Sequence, residues 1–384
     1  MLLGFSAFTD AVVPLAAAEA LFAEDVPEPV HRLAEEIRTR LREGRGGEIG
    51  LAWPQGDVWF LDRLEHRIGA GGTSLQIANA LAPAGVPCLL ALGDRSETQL
   101  VVAHGAILLA GDGGPQRVDA CPRHNATAKA RHWIFEASAG STVAGIAVRR
   151  STRLIVRLAD DAPEHDPRFE ALSARLAPSC GGAIISSLLA TPDHLLDDAF
   201  AMVGRLAKAW RAAGVRFIHL EFADYGARRR MAACLLAALH GAVTSVGMSL
   251  SEWQSQVGAP LTADALLAFA QRHALTRVCV HADEWATSVV LGDREEERRA
   301  LMAGSLFAAT RAFAGVPVVP TACPSGVHFA EVAADCDLAD GWAQVTVPSP
   351  YRADPVSTIG LGDTFVAGCL LVYAGGAPGA ARST

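Results

Sequence analysis

In the second half of the chain, short runs of Val, Ile and Leu alternate with longer segments of helical period. Buried parallel strands are nearly continuous in apolar residues, whereas surface helices carry one apolar stripe. The alternation therefore indicates βαβ units around a parallel sheet and restricts this half to an α/β fold. The expected strands are residues 182–187, 215–220, 277–281 and 316–320, and the expected helices are 195–213, 228–239, 263–272 and 296–314.

The first half of the chain is less regular. We expect a strand at residues 2–8 and a helix at 30–42, followed by a glycine cluster and short strands joined by turns. We interpret part of this half as a smaller domain that interrupts the larger sheet. The expected boundaries are 1–18, 67–103 and 158–384 for the large domain, and 19–66 and 104–157 for the small one.

Composition excludes some classes of partner and location. The net charge of -8 argues against a general affinity for nucleic acid or for an anionic membrane, because both need a positive surface. The 8 cysteines include no CxxC pair, which is typical of reduced thiols. With no basic N-terminal region and no apolar stretch of about 18 residues, we expect a cytoplasmic protein.

A glycine-rich turn close to the C-terminus, Gly360-Leu361-Gly362-Asp363, precedes an apolar run that predicts a helix. Glycines let the backbone approach a ligand closely, and the first amides of a helix favour an anion. A carboxylate there would stand beside a bound phosphoryl group, where it could take a proton from an attacking hydroxyl. The alternative is an ordinary turn, with Asp363 stabilised by the helix dipole.

Two acids follow predicted strands in the middle of the chain. His219 and Glu221 alternate at the end of one strand, so both would face the ligand crevice at the carboxyl edge of the sheet, where Glu221 could hold Mg²⁺. One unit later, Ser249 and Glu252 match a helix capping box. Glu252 could instead be a second acid near a metal, and two solvated polar residues at a strand end would also explain His219 and Glu221.

A double glycine, Gly71-Gly72, precedes a predicted helix with a polar first turn. Small residues at this position would let a hydroxylated ligand lie against backbone N–H groups. A plain loop-to-helix junction explains the glycines as well.

The order of these segments resembles the ADP-dependent sugar kinases, the glucokinases and phosphofructokinases of the ribokinase-like superfamily. "HLEFAD" is similar to their HxE motif, "SVGMSLSEW" to their NxxE motif and "VSTIGLGDTF" to their GxGD motif, while "RVCVHADEW" resembles another strand of the family. The resemblance implies a three-layer α/β/α large domain with a mainly parallel sheet, and a smaller inserted α+β lid domain.

The resemblance also implies a role for each matching residue. Asp363 would be the catalytic base and the amides of Gly360, Leu361 and Gly362 the anion hole. Glu221 and Glu252 would organise Mg²⁺ and its waters. The acceptor would be bound by Asp10, Glu65, Gly71 and Gly72, and the nucleotide by Arg153, His281 and Gly362.

The implied activity is Mg²⁺-dependent transfer of a phosphoryl group from ADP to a hydroxyl of a sugar or sugar phosphate, of the glucose or fructose 6-phosphate type, in carbohydrate metabolism such as glycolysis. Ser249 replaces the asparagine of the NxxE motif, and Phe8-Thr9-Asp10 lacks an asparagine two residues before the aspartate. Two alternatives stay open, and these departures motivate the first of them. One is an ATP-dependent kinase of a nucleoside or specialised-metabolite sugar, and the other is a non-catalytic sugar- or nucleotide-binding protein.

Overall fold

The structure, a computed structural model, describes residues 1–123, 129–159 and 162–375. The strands are β1 (Leu2–Gly4), β2 (Phe8–Pro14), β3 (Gly47–Gly50), β4 (Arg67–Gly71), β5 (Leu89–Leu90), β6 (Leu108–Gly111), β7 (Gly114–Arg117), β8 (His132–Ala137), β9 (Thr142–Val143), β10 (Ile146–Ala147), β11 (Thr152–Arg157), β12 (Gly182–Ile185), β13 (Phe217–Glu221), β14 (Ser245–Ser249), β15 (Arg277–His281), β16 (Trp285–Leu291), β17 (Cys336–Asp337) and β18 (Trp342–Pro348). The α-helices are α1 (Glu28–Glu43), α2 (Gly56–Arg63), α3 (Thr73–Leu81), α4 (Glu97–Leu100), α5 (Pro167–Leu176), α6 (Leu196–Ala212), α7 (Arg229–Ala238), α8 (Leu250–Gln256), α9 (Ala263–Arg272), α10 (Arg294–Ala314) and α11 (Leu361–Gly375).

The larger of the two main sheets, here called the large sheet, has the strand order β17-β18-β16-β15-β14-β13-β12-β1-β5-β6-β7. Its central strands, from β15 to β6, run parallel, whereas β16, β18, β17 and β7 pair antiparallel. The sequence-based prediction of an α/β fold with a mainly parallel sheet is confirmed.

Alternation along each central strand supplies both faces of the large sheet with core residues. Val278 and Val280 of β15 join one buried cluster with residues of α5, α6, α7 and α9, such as Trp210. Cys279 lies in a second cluster, with residues of α3, α10 and α11, such as Phe365. Because side chains alternate between faces, a continuous apolar strand needs helices on both sides, which gives three layers.

The small sheet has the order β3-β11-β8-β2-β4. On one face, Trp133 and Phe135 of β8 form a buried cluster with Ile37 of α1 and Phe60 of α2. Asp10 is opposite His132 in the sheet, whereas Trp133 and Phe135 are opposite Ala11 and Val13. Because side chains alternate along a strand, Asp10 points to the other face of the sheet. The face away from the helices therefore carries the polar side chains of the small sheet, including Asp10.

The sheet membership of several strands differs from the expected domain boundaries. β2 and β4 belong to the small sheet, although residues 1–18 and 67–103 were expected in the large domain, and β6 and β7 extend the large sheet, although 104–157 were expected in the small one. The expected strand at 2–8 is divided between β1 and β2. These strands pair with residues distant in sequence, as Asp10 does with His132, so a local pattern cannot assign their sheet.

The predicted strand at residues 316–320 is also wrong, because this segment is irregular. It follows the left-handed Gly315 that ends α10, and Pro317 and Pro320 have no N–H to donate to a sheet. The strands that follow β15 in the large sheet are instead the antiparallel β16 and β18. Within the described residues, the helices are not long and apolar enough for any of them to cross a membrane.

Candidate active site

Three neighbouring parallel strands end beside the beginning of α11. β13 ends at Glu221, β14 at Ser249 and β15 at His281, and a Cβ placed on Gly362 would lie 3.1 Å from Cε1 of His281. The carboxyl edge of a parallel sheet is where open α/β folds bind ligands. The motif residues of the mid-chain strands and of the C-terminal turn therefore meet at one edge of the large sheet.

The turn before α11 depends on Gly360. Its φ of 65° is left-handed, and a Cβ there would lie 2.7 to 2.8 Å from the guanidinium of Arg311. The carbonyl of Gly360 accepts from the amide of Thr364 at 2.9 Å, so the helix begins directly after this glycine. Asp363 is consequently in the first turn, where the early amides have no partner inside the helix.

Asp363 joins the C-terminal turn to the double-glycine segment, because its carboxylate accepts a hydrogen bond from the side chain of Thr73, the first residue of α3. Burial and the negative charge of Glu221 raise the pKa of Asp363, while Arg311 and Arg153 act in the opposite direction. A carboxylate with a raised pKa is a better proton acceptor once it is ionised.

Asp10 lies in the small sheet but is electrostatically coupled to Asp363. Its side chain is buried, and Oδ1 has no hydrogen-bond partner among the described residues. Burial is the largest cause that raises the pKa of Asp10 to about 6, and Asp363 adds to it. A Cβ on Gly71 would overlap the Asp10 carboxylate, so this glycine makes room for the acid.

Both oxygens of Glu221 face histidines. Oε2 is 2.9 Å from Nε2 of His219, and Oε1 is 3.3 Å from Nε2 of His281. Burial alone would raise the pKa of Glu221, but these two histidines outweigh it and lower the pKa to about 2. Glu221 is therefore a fixed negative charge in the site at neutral pH.

The predicted capping box at the start of α8 is present. The amide of Ser249 donates to Oε2 of Glu252 at 2.6 Å, and the amide of Glu252 donates to Oγ of Ser249 at 3.3 Å. Burial and the nearby charge of Glu221 raise the pKa of Glu252 to about 7. Glu252 thus caps a helix and also lies within electrostatic reach of Glu221 and His281.

The small sheet reaches the segment that precedes the glycine turn. Nη1 of Arg153 donates to the carbonyl of Thr358 at 2.9 Å, and the hydroxyl of Ser357 donates to Oε1 of Glu136 at 3.2 Å. Arg153 and Glu136 are direct cross-strand partners on β11 and β8. One polar pair of the small sheet therefore holds two consecutive residues of this segment.

Arg311 is a site residue that the sequence reasoning missed. Its buried guanidinium donates to Oγ1 of Thr364 at 2.8 Å and to Oε1 of Gln76 at 2.7 Å, connecting α10 with α11 and α3. Burial lowers the pKa of Arg311 to about 10, so it keeps its charge at neutral pH. Helical period places Arg311 on the buried face of α10 with Phe307. An arginine at a position where the helical pattern calls for an apolar residue could have indicated its role from the sequence.

Glu65 is not brought into this group. It is exposed in the turn between α2 and β4, and no hydrogen bond or ion pair links it to another described residue. The other predicted residues lie where the two sheets meet, or interact electrostatically with residues that lie there.

The acids of the site suit a magnesium ion that is held largely through water and phosphate. Within the described ranges, no group of three His, Cys, Asp or Glu side chains is arranged to hold a metal by itself. Magnesium commonly uses one or two carboxylates, keeps several waters and takes further oxygens from phosphates. Glu221 raises the pKa of both Glu252 and Asp363, and a cation among these acids would relieve that repulsion.

The architecture is a ribokinase-like α/β fold, with the candidate site at the carboxyl edge of its large sheet. No family model matches the chain, and no curated protein matches it. Solved structures match nearly all of it. An ADP-dependent kinase in complex with fructose-6-phosphate and ADPβS aligns with a TM-score of 0.76 at 18% identity, over 97% of this chain and 93% of that one.

A phosphofructokinase from Pyrococcus horikoshii OT3, determined with AMP, aligns with a TM-score of 0.73 at 18% identity, over 97% of both chains. An adenosine kinase from Sinorhizobium meliloti gives a TM-score of 0.53 at 14% identity, over 98% of this chain and 88% of that one. The chain therefore has the fold of the ADP-dependent phosphofructokinases, which confirms, at the level of fold, the resemblance indicated by the motifs.

Proposed function

We propose that this chain is a kinase that transfers the terminal phosphoryl group of ADP to a hydroxyl of a sugar or sugar phosphate, with Mg²⁺ and with Asp363 as the general base. The observation that carries the proposal is the position of Asp363. It lies in the first turn of α11, bonds to Thr73 next to the double glycine, and is electrostatically coupled to both Glu221 and Asp10. Residues from three other segments of the chain thus act on this one carboxylate.

Asp363 would take the proton of the acceptor hydroxyl as that oxygen attacks phosphorus. The bond between Thr73 and Asp363 holds the carboxylate toward α3, on the side of Gly71 and Gly72. Asp10 supports the same acceptor site, because its unpartnered Oδ1 is a buried anion that a sugar hydroxyl would satisfy. Gly71 keeps space for that contact.

The donor phosphates would lie against the amides of Gly360, Leu361 and Gly362. Those amides begin a helix, and Arg311 and Arg153 bring positive charge to the same turn. Phosphoryl transfer needs positioning and charge neutralisation more than covalent help, and this arrangement supplies both. His281, adjacent to Gly362, is a further candidate contact for the nucleotide.

Glu221 and Glu252 would hold Mg²⁺ through its waters, and the bound ion would neutralise charge on the transferring phosphoryl group. The two histidines keep Glu221 ionised and fixed. Ser249 stands where the related kinases have an asparagine, and its role here is the helix cap.

The solved structures with similar folds support ADP as donor, since one is an ADP-dependent kinase with ADPβS and another was determined with AMP. The complex with fructose-6-phosphate supports a sugar phosphate as acceptor. We further propose that the small sheet is a lid, which Arg153 and Glu136 fasten to residues 357–358. The 8 free thiols support a cytoplasmic location.

The Asp363→Asn variant tests the mechanism. We expect kcat to fall by about 10²- to 10⁴-fold with nucleotide binding retained, because the amide cannot take a proton. Asp264→Asn is a matched control, since Asp264 is also in the first turn of a helix, α9, and is exposed. Near-normal turnover of Asp363→Asn would contradict the proposed base.

A further inference from the structure

A buried chain of polar side chains lies behind Glu221. It runs from Glu297 on α10 through Arg277 on β15 and Ser245 on β14 to His219 on β13. These four residues are 0 to 3% exposed. Polar groups at this depth are costly unless every donor and acceptor is matched, so their hydrogen-bond directions can be worked out from the chemistry of each group.

Arg277 sets the direction of the chain. Its Nε donates to both carboxylate oxygens of Glu297, at 3.0 and 2.8 Å, and its Nη1 lies 3.1 Å from Oγ of Ser245. A guanidinium only donates, so Ser245 must accept this bond. The single hydroxyl proton of Ser245 is then directed to its other neighbour, Nδ1 of His219, at 2.8 Å.

The proton on His219 is thereby assigned to Nε2. With Nδ1 accepting from Ser245, Nε2 carries the hydrogen and donates to Oε2 of Glu221 at 2.9 Å. The opposite tautomer would direct two donors at Ser245 and turn the lone pair of Nε2 toward the Glu221 carboxylate. A doubly protonated ring would likewise direct two donors at Ser245 and leave its hydroxyl proton without this acceptor.

We infer that Arg277 and Glu297 are positioning residues which, through Ser245, fix the Nε2–H tautomer of His219 and so orient the carboxylate of Glu221. Neither residue touches the proposed substrates. The benefit to catalysis rests on the proposed function, because it assumes that Glu221 binds a metal ion. The assignment of the tautomer does not rest on the proposed function.

The same chain connects the sheet to α11. The hydroxyl of Tyr373, near the C-terminal end of α11, donates to Oε2 of Glu297. Glu297 therefore contacts both Arg277, from which the chain of hydrogen bonds leads to Glu221, and the helix whose first turn carries Asp363. This arrangement links the positions of the proposed metal acid and the proposed base through one buried carboxylate.

The tautomer can be observed directly in the full chain without metal or nucleotide. In protein with ¹⁵N-labelled histidines, long-range ¹H–¹⁵N spectra distinguish a protonated, pyrrole-type nitrogen from an unprotonated, pyridine-type one. The signals of His219 among the 12 histidines are those that vanish in His219→Gln. We expect a pyridine-type Nδ1 and a pyrrole-type Nε2 at neutral pH.

Ser245→Ala removes the hydroxyl that connects Arg277 to His219. We expect the ¹⁵N signal of Nδ1 of His219 to move, because this nitrogen loses its donor. The Mg²⁺ concentration for half-maximal activity should rise by about 10- to 100-fold, the usual effect of losing a partner that orients a metal ligand. Ser245→Thr keeps the hydroxyl and should restore both readouts. Ser173→Ala, which removes a buried serine bonded to Trp210, is the matched control and should change neither.

A pyrrole-type Nδ1 in the wild-type protein would overturn the inference, as would unchanged His219 signals in Ser245→Ala. If Ser245→Ala does not fold, the wild-type spectrum alone decides. If the protein has the expected tautomer but no kinase activity, the proposed function is contradicted and the inference about the tautomer stands. If it has the opposite tautomer and is an active kinase, the inference is contradicted and the proposed function stands.

Discussion

Replacing Asp10 by asparagine is expected to stabilise the ligand-free protein above about pH 6 and to weaken acceptor binding. Burial, opposed by His132 and reinforced by Asp363, raises the pKa of Asp10 from 3.8 to about 6. Each unit of pKa corresponds to about 1.4 kcal/mol, so the ionised carboxylate lowers the free energy of unfolding by about 3 kcal/mol.

The sign of the pH dependence follows from proton binding. Unfolded Asp10 loses its proton near pH 3.8, whereas the folded protein keeps it to about pH 6. The folded state binds more protons in this window, so the stability of the wild type falls as pH rises through it. The asparagine side chain of the variant has no proton to lose, and its advantage should grow from near zero at about pH 4 to about 3 kcal/mol above about pH 6.

Urea unfolding at about pH 4 and about pH 8, without ligands, measures this difference. Asp62→Asn removes one charge at an exposed site and should stay within about 0.5 kcal/mol of the wild type at both values. In the kinase assay, Asp10→Asn should raise the acceptor KM by about 10- to 100-fold, because a bond to a charged partner is lost. A stability difference independent of pH, or a variant less stable at about pH 8, would refute the reasoning.

Two other substitutions separate structural from functional roles. Glu252→Gln can keep the capping box, and at about pH 4, where Glu252 is largely protonated, it should unfold like the wild type, whereas Glu252→Ala should lose about 1 kcal/mol. Both variants should need more Mg²⁺, and an unchanged Mg²⁺ titration would leave Glu252 as a cap only. Gly71→Ala would push a methyl group into the Asp10 carboxylate and should lower the free energy of unfolding by about 1 to 3 kcal/mol in urea. The control Gly50→Ala should be nearly neutral, because a Cβ there meets nothing within 4 Å. Equal effects of the two substitutions would contradict the close approach of Gly71 to Asp10.

The parallel part of the large sheet could be predicted because its signals are local. The strand that ends at Glu221 is an apolar run followed by the amphipathic helix α7, and the strand that ends at His281 is an apolar run preceded by the amphipathic helix α9. Chain order alone places the carboxyl ends of both strands at one edge. The capping box of Ser249 and Glu252 was equally readable, since both partners lie within four residues.

The small sheet was harder to predict because its strands pair over long separations. β2 follows β1 after three residues, yet it pairs with β4 and β8 and so leaves the sheet to which β1 belongs. Arg311 was missed for a related reason, as its partners Gln76 and Thr364 come from opposite ends of the chain. Nothing within α10 indicates which helices it meets.

The most direct test of the central claim is AMP release by the purified full chain with ADP and Mg²⁺, screened against sugars, sugar phosphates and nucleosides, with ATP as the parallel donor. The proposal predicts AMP in equal amount to a phosphorylated sugar or sugar phosphate, and loss of both products in Asp363→Asn. Phosphorylated product formed with ATP but not with ADP would contradict the donor, and no product with any acceptor, despite measurable nucleotide binding, would contradict the proposed activity.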